Sequence, residues 1–180
     1  MRIVRWAPVS ETDPPFLFGD AFMAHIGAVK APAARLSSVS AWALLYRTLA
    51  ECGLPAGRVV FGPHGKPFFE DADVQFSVTH AGSVVAVSVS DRPTGVDVES
   101  CARAVRPRLL ERCLSAEEKR DFDGDFIRLW CRKECVVKLT GEGLCGYPDR
   151  VDAFDPAIDF EESVIARPDG AYRLTAAFLK

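Results

Sequence analysis

Two short stretches hold most of the chemistry this chain can do. In GVDVE, Gly95 to Glu99, alternate residues of a strand share a face, so Asp97 and Glu99 point one way and Val96 and Val98 the other. The rise of a strand sets those carboxylates about 7 Å apart. Such a pair either lies in water or holds a hard cation. In WCRKECVVK, Trp130 to Lys138, helical spacing puts Trp130 one turn before Glu134 and Lys138 one turn after it. Ile127, Cys131 and Val137 fall on the same side, so Glu134 lies on the more apolar face. A bare carboxylate there is costly unless it is paired or bound to metal. One partner is Lys138, in the favourable Glu-before-Lys order, an intrahelical pair worth a few tenths of a kcal/mol if exposed. The other arrangement sets Glu134 beside Asp97 and Glu99 as an oxygen-rich site for Mg²⁺, with coordination places left for phosphate oxygens and water. Lys133 and Lys138 would then neutralise phosphate charge, and one carboxylate would serve as base.

Other residues can join such a site or stay outside it. His80 ends the strand VQFSVTH and reads as a surface residue or, with Ser77 and Thr79, as a donor to phosphate. Lys66 sits in the GPHGKP turn, either solvated or presented to an anion. Lys30 and Arg35 flank the start of a helix, and helix N-termini bind anions. Ser115 and Glu118 in SAEE match a capping box, which is a sufficient structural reason for Glu118.

The elements that must position these residues follow from periodicity. MRIVRWAPV reads as a first strand, and DPPFLFGDAFMAHIG as a loop with a short helix. A long helix starts at Pro32 and ends before Gly53. GRVVFGPHGKPFFED reads as strand, turn and short extended piece. VQFSVTH and VVAVSVS alternate cleanly, and with VDVE they form an antiparallel meander of three strands. After the basic stretch CARAVRPRLLERC the chain is mostly helical to a Gly-rich turn. ESVIARPDGAYRLTAAFLK closes as a hairpin around RPDG. Helix then strands occurs once in each half, which divides the chain at 1–94 and 95–180.

The chain has 180 residues, enough to bury a core, with 48% hydrophobic and 26% charged residues, an ordinary globular composition. A net charge of -3 argues against a nucleic-acid binder but permits a local site for a phosphorylated ligand. No stretch has the length of a membrane span or a signal peptide, so the chain reads as cytoplasmic. The six cysteines form no CxxC pair, which disfavours zinc, and free thiols are expected.

Taken together, GVDVE, WCRKECVVK with GEGL, FSVTHA, GKPFF and LSAEE stand in the order of the 4′-phosphopantetheinyl transferase signature, which this chain resembles from about Lys30 to Leu144. The resemblance implies an α+β fold of two pseudo-symmetric halves, each a helix packed on a mostly antiparallel three-stranded sheet. It implies a trimmed member of the long-chain, surfactin-type class, active as a monomer. The implied reaction moves the phosphopantetheine arm of coenzyme A to a serine of an acyl or peptidyl carrier protein and releases adenosine 3′,5′-bisphosphate. The alternative reading is a non-catalytic module of the same fold that binds coenzyme A or a carrier protein.

By position, the resemblance assigns Asp97, Glu99 and Glu134 to Mg²⁺. It assigns the proton of the carrier serine to Glu134 or a water it orients, and the transferred phosphate to Lys138. Lys30, Arg35, Lys66, Thr79, His80 and Lys133 would bind coenzyme A, with Glu118 near the metal as well as capping its helix. Arg103, Arg106, Arg108 and Arg112 lie where the family docks its acidic carrier protein. Three positions depart from the family pattern: Ser77 stands where Asn is usual, Ala81 where Ser is common, and Cys135 replaces a small Ser or Ala.

Overall fold

In the computed structural model, which describes residues 1–10, 20–143 and 148–180, the layers are set by two long helices and two separate sheets. The first sheet has the order β1-β5-β4, built from Arg2–Pro8, Val84–Ser90 and Gln75–Ala81. The second has the order β6-β8-β7, from Thr94–Ser100, Gly170–Leu179 and Ile158–Arg167. All pairings are antiparallel. A two-stranded hairpin, β2 (Val59–Phe61) and β3 (Pro67–Phe69), carries the GPHGKP turn. The helices are α1 (Asp20–Ala28), α2 (Pro32–Glu51), α3 (Pro107–Cys113), α4 (Ala116–Asp121) and α5 (Phe126–Thr140). The chain is therefore α+β, with antiparallel three-stranded sheets. No helix among the described residues is long and apolar enough to cross a membrane. GEGL runs past the described residues at Leu144, and the loop expected before α1 lies outside them.

Strand alternation produces four layers. Val85, Val87 and Val89 of β5 pack with Phe76 against Trp42, Leu45 and Leu49 of α2. The opposite side of β5 carries Val84, Ala86, Ser88 and Ser90, all buried. Those small side chains let the second sheet approach closely. Val84 and Ala86 meet Val96, Val98, Leu174, Ala176 and Phe178, and the Thr94 and Ser88 hydroxyls lie 2.9 Å apart. The far face of the second sheet receives α5 through Cys135 and Leu139, against Ile158 and Ala177. The order is thus α2, first sheet, second sheet, α5.

The expected meander of VQFSVTH, VVAVSVS and VDVE does not form. β4 and β5 pair, but the centre strand β5 takes β1 as its other neighbour, and β6 crosses to the second sheet. β6 has a partner of full length in β8, with Thr94 opposite Phe178 through Ser100 opposite Tyr172. The free edge of β6 then lies beside the free edge of β4 with no ladder between them.

Helix ends explain why α5 sits where it does. Asp125 caps it by accepting from the Arg128 N–H at 2.9 Å, and Gly141 ends it in the left-handed conformation at φ 77°. Arg128 and Arg132 both reach Glu162 on β7, and Arg173 on β8 reaches Asp125 at 2.6 Å. The close approach to β6 needs Gly95: a Cβ there would overlap the Cys135 carbonyl and lie 2.9 Å from the Leu139 nitrogen.

α4 carries the capping box expected from SAEE, with Ser115 accepting from the Glu118 N–H and Glu118 accepting from the Ser115 N–H. Glu118 is also buried against Lys133 of α5, whose Nζ lies 2.8 Å from its Oε2. Lys133 is fully buried and donates to the carbonyls of Pro148 (3.0 Å) and Val151 (2.6 Å). Its three donors are thereby matched, so this lysine pins α5 to α4 and to the segment after it.

Two stability predictions follow from this packing. Gly95→Ala should lower the unfolding free energy by about 2–4 kcal/mol in urea melts, because α5 must lift off β6. Lys133→Ala should cost about 3–5 kcal/mol, since it leaves the Glu118 charge buried without its partner. Lys133→Ala should also leave the ligand affinity of the folded fraction unchanged. Loss of ligand affinity in that variant at full folding would contradict this role.

Candidate active site

The unpaired edges of β4 and β6 leave a gap, and the gap is a cleft. It encloses about 620 Å³ and is walled by β4, β6, α5, the middle of α2, His25 of α1 and the β2–β3 hairpin. Asp97, Glu99, Glu134, Lys138, Thr79 and His80 all line it. A larger cavity of about 800 Å³ opens between α4, the start of α5 and residues 149–154. The smaller cleft is the chemical one, because the carboxylates, the lysine and the hydroxyl converge there.

The edge of β6 finds its partners in side chains. The Val96 N–H donates to Ser77 Oγ at 3.2 Å, and the Val96 carbonyl accepts from Lys138 Nζ at 2.9 Å. The same ammonium reaches Asp97 Oδ1 at 2.6 Å and Thr79 Oγ1 at 3.2 Å. Thr79 Oγ1 also donates to Asp97 Oδ1 at 3.2 Å. Lys138 therefore bonds to β6 and β4 rather than to Glu134, its neighbour one turn back. Ser77, where the resemblance would put Asn, holds the backbone next to Asp97 and lines a smaller neighbouring cavity with Lys66 and Lys138.

Electrostatics follow from this crowding. Burial, with the charge of Asp97 adding to it, pushes the Glu134 carboxyl above its ordinary value, and Lys138 and Arg103 only partly offset this. Burial disfavours the Lys138 ammonium, but the Asp97 carboxylate and its hydrogen bond outweigh that cost, so the lysine is held above its ordinary value. Burial also pushes the thiols of Cys131 and Cys135 up, which makes both poor nucleophiles.

The donor set suits a hard cation: three carboxylates, oxygen only, on one cleft. Burial raises Glu134 most, and the repulsion from Asp97 that adds to it is what a divalent cation would relieve. The carboxylates are not closed around one point, however. Among the described residues no three His, Cys, Asp or Glu side chains stand at metal-holding spacing. Asp97 is engaged by Lys138, and Glu99 by Arg103.

The remaining sequence-derived residues divide. His80 stands on the rim, its Nε2 3.4 Å from the Ser38 hydroxyl. Gly65 and Pro67 line the cleft, but the Lys66 side chain turns aside and donates to the Leu139 carbonyl at 3.0 Å, near the C-terminus of α5. Lys30 and Arg35 are exposed near the start of α2 and do not line the cleft. Lys133 does not reach it either: its charge is consumed inside the C-terminal half by Glu118 and two carbonyls. Glu118 lies with it, away from Asp97, Glu99 and Glu134. Arg106, Arg108 and Arg112 are exposed at and along α3, whereas Arg103 is half-buried and lines the cleft.

Sequence reasoning missed the wall made by α1, α2 and β2. His25 stacks on Phe61 with centroids 4.8 Å apart and 23° between planes, and both line the cleft with Trp42. No local signal marks these residues, because their juxtaposition comes from the docking of α1 on the hairpin.

Comparison with known proteins places the same segment in a family. Residues 93–178, which contain β6, α5 and β8, match the model of the 4′-phosphopantetheinyl transferase superfamily. The chain is 29% identical over 144 residues to a 4′-phosphopantetheinyl transferase of Bacillus subtilis, covering 71% of this chain and 61% of the relative. It is 31% identical over 122 residues to 4′-phosphopantetheinyl transferase AcpT of Salmonella typhimurium, covering 59% of each. It is also 31% identical over 102 residues to 4′-phosphopantetheinyl transferase psf-1 of Bacillus pumilus, covering 51% of this chain and 43% of the relative. These alignments span from 43% to 61% of the relatives' lengths. Asp97, Glu99, Glu134 and Lys138 all lie inside the segment, residues 93–178, that is similar to the 4′-phosphopantetheinyl transferase superfamily.

Proposed function

We propose that this chain is a Mg²⁺-dependent 4′-phosphopantetheinyl transferase of the long-chain class. It would move the arm of coenzyme A to a serine of an acyl or peptidyl carrier protein and release adenosine 3′,5′-bisphosphate. The observation that supports this reading is the convergence of Asp97, Glu99, Glu134 and Lys138 on one cleft at the junction of the two sheets. Each half of the chain supplies part of that wall, so a monomer is sufficient. The exposed thiols of Cys52 and Cys101 suit a reducing compartment such as the cytoplasm.

In this reading Asp97, Glu99 and Glu134 hold the cation. The bound cation supplies charge stabilisation at the pyrophosphate. Lys138 would neutralise charge on the same anion, and Thr79 and His80 would offer hydrogen bonds from the β4 side. The serine oxygen of the carrier attacks the phosphorus that bears the pantetheine arm. A new P–O bond forms, the P–O bond to the nucleotide breaks, and adenosine 3′,5′-bisphosphate leaves with the electron pair. Glu134, half-buried and without an ion-pair partner among the described residues, accepts the serine proton directly or through water. The exposed arginines Arg106, Arg108 and Arg112 present positive charge to an acidic carrier protein beside the cleft.

The test is the intact mass of carrier proteins from fatty acid, polyketide and peptide assembly after incubation with the chain, coenzyme A and Mg²⁺. A gain of one phosphopantetheine arm on at least one carrier is expected, and it should disappear with excess chelator. Glu134→Gln should lower kcat by about a hundredfold or more. No gain on any carrier, with coenzyme A still bound, would instead identify a non-catalytic binding module.

A further inference from the structure

Arg103 stands apart from the other arginines of its stretch. It lies in the connection between β6 and α3, half-buried, and lines the cleft. Its guanidinium pairs with Glu99. On its other side it sits over the ring of Trp130, with the guanidinium carbon 5.0 Å from the centroid. Trp130 is itself fixed, stacked on Phe126 with centroids 6.1 Å apart. The arginine thus has one ionic partner and one aromatic seat. The seat does not depend on which anion the guanidinium faces, because cation–π attraction and planar stacking act through the ring.

The charge of the cleft gives this arrangement a consequence. Asp97, Glu99 and Glu134 contribute three negative charges, and Lys138 and Arg103 two positive ones, leaving one negative charge in excess. Both cations are spent on the strand carboxylates, while Glu134 has no ion-pair partner among the described residues. A pyrophosphate alone meets a net negative cleft. A divalent cation meets an attractive one, and in taking Glu99 it competes directly with Arg103.

We propose that Arg103 is an exchangeable counter-ion of this site. Without a cation it neutralises Glu99. When a divalent cation occupies the carboxylates, the guanidinium, still seated on Trp130, turns to a phosphate oxygen of the substrate. This assigns Arg103 to the cleft and not to carrier docking, and it rests on the reading of the cleft as a cation and pyrophosphate site. A guanidinium suits the exchange because its planar fork matches carboxylate and phosphate alike.

The experiment is titration calorimetry on the full chain with Mg²⁺ alone and then with coenzyme A at saturating Mg²⁺. It compares wild type, Arg103→Ala and Arg103→Lys. Arg103→Ala should bind Mg²⁺ alone about threefold more tightly, because a partly exposed competitor is gone. The same variant should bind coenzyme A about tenfold more weakly, because a charge-assisted bond to phosphate is lost. Arg103→Lys should fall between the two in both titrations. This opposite sign is the signature of exchange, since a residue that merely supports the fold would weaken both. The proposal is overturned if Arg103→Ala weakens both titrations. It is equally overturned if both are unchanged and only the KM for the carrier protein rises. Wild-type transfer without the sign reversal discards the counter-ion role alone. The reversal without any transfer discards the catalytic reading and leaves the exchange standing.

Discussion

The ammonium of Lys138 is the point on which the site depends. It reaches Asp97, the Val96 carbonyl and the Thr79 hydroxyl at 2.6, 2.9 and 3.2 Å, so one charge from α5 touches both β6 and β4. A half-buried lysine at that depth is tolerable only because a carboxylate and two further oxygens accept its protons. The same three bonds fix the direction of Asp97. Stability and chemistry are therefore served by one set of contacts, and the α5 helix can be neither shifted nor rotated without disturbing both.

The cleft exists because two strand edges lie side by side without pairing. An open edge normally invites another strand. Here the Val96 N–H and carbonyl are taken by Ser77 and Lys138, while the small residues of β5 draw the two sheets together behind them. Gly95 then lets α5 descend close to β6, which brings Glu134 and Lys138 to the level of Asp97. Across the fold, interactions that look structural set the spacing of the charged groups. Lys66, expected to meet phosphate, steadies the C-terminal end of α5, and Lys133 locks the opposite face of that helix to α4.

Much of this was legible in the chain. Period-two alternation located β4, β5 and β6, end signals located α2 and α4, helical spacing located α5, and the hairpin around RPDG appears as β7 and β8. GVDVE and WCRKECVVK identified four residues that share one cleft. Three things were not legible. The strand order was not, because the alternation of β6 suits either sheet and does not name its partner. The direction of a lysine was not, because Lys133 and Lys138 differ by less than two turns yet one is buried in a structural pair and the other reaches the cleft. The distinction of Arg103 from Arg106 and Arg108 was not, because composition reports a basic stretch and not which of its members folds inward against Trp130.

The central claim is that one cleft binds cation and coenzyme A together through Asp97, Glu99, Glu134 and Lys138. Thermodynamic linkage tests it without assuming turnover. The affinity for coenzyme A should be measured calorimetrically with Mg²⁺ present and with Mg²⁺ chelated, in the wild type and in Asp97→Asn. The account predicts tighter coenzyme A binding with Mg²⁺ in the wild type and loss of that difference in Asp97→Asn. Equal affinity with and without Mg²⁺ in the wild type would contradict it.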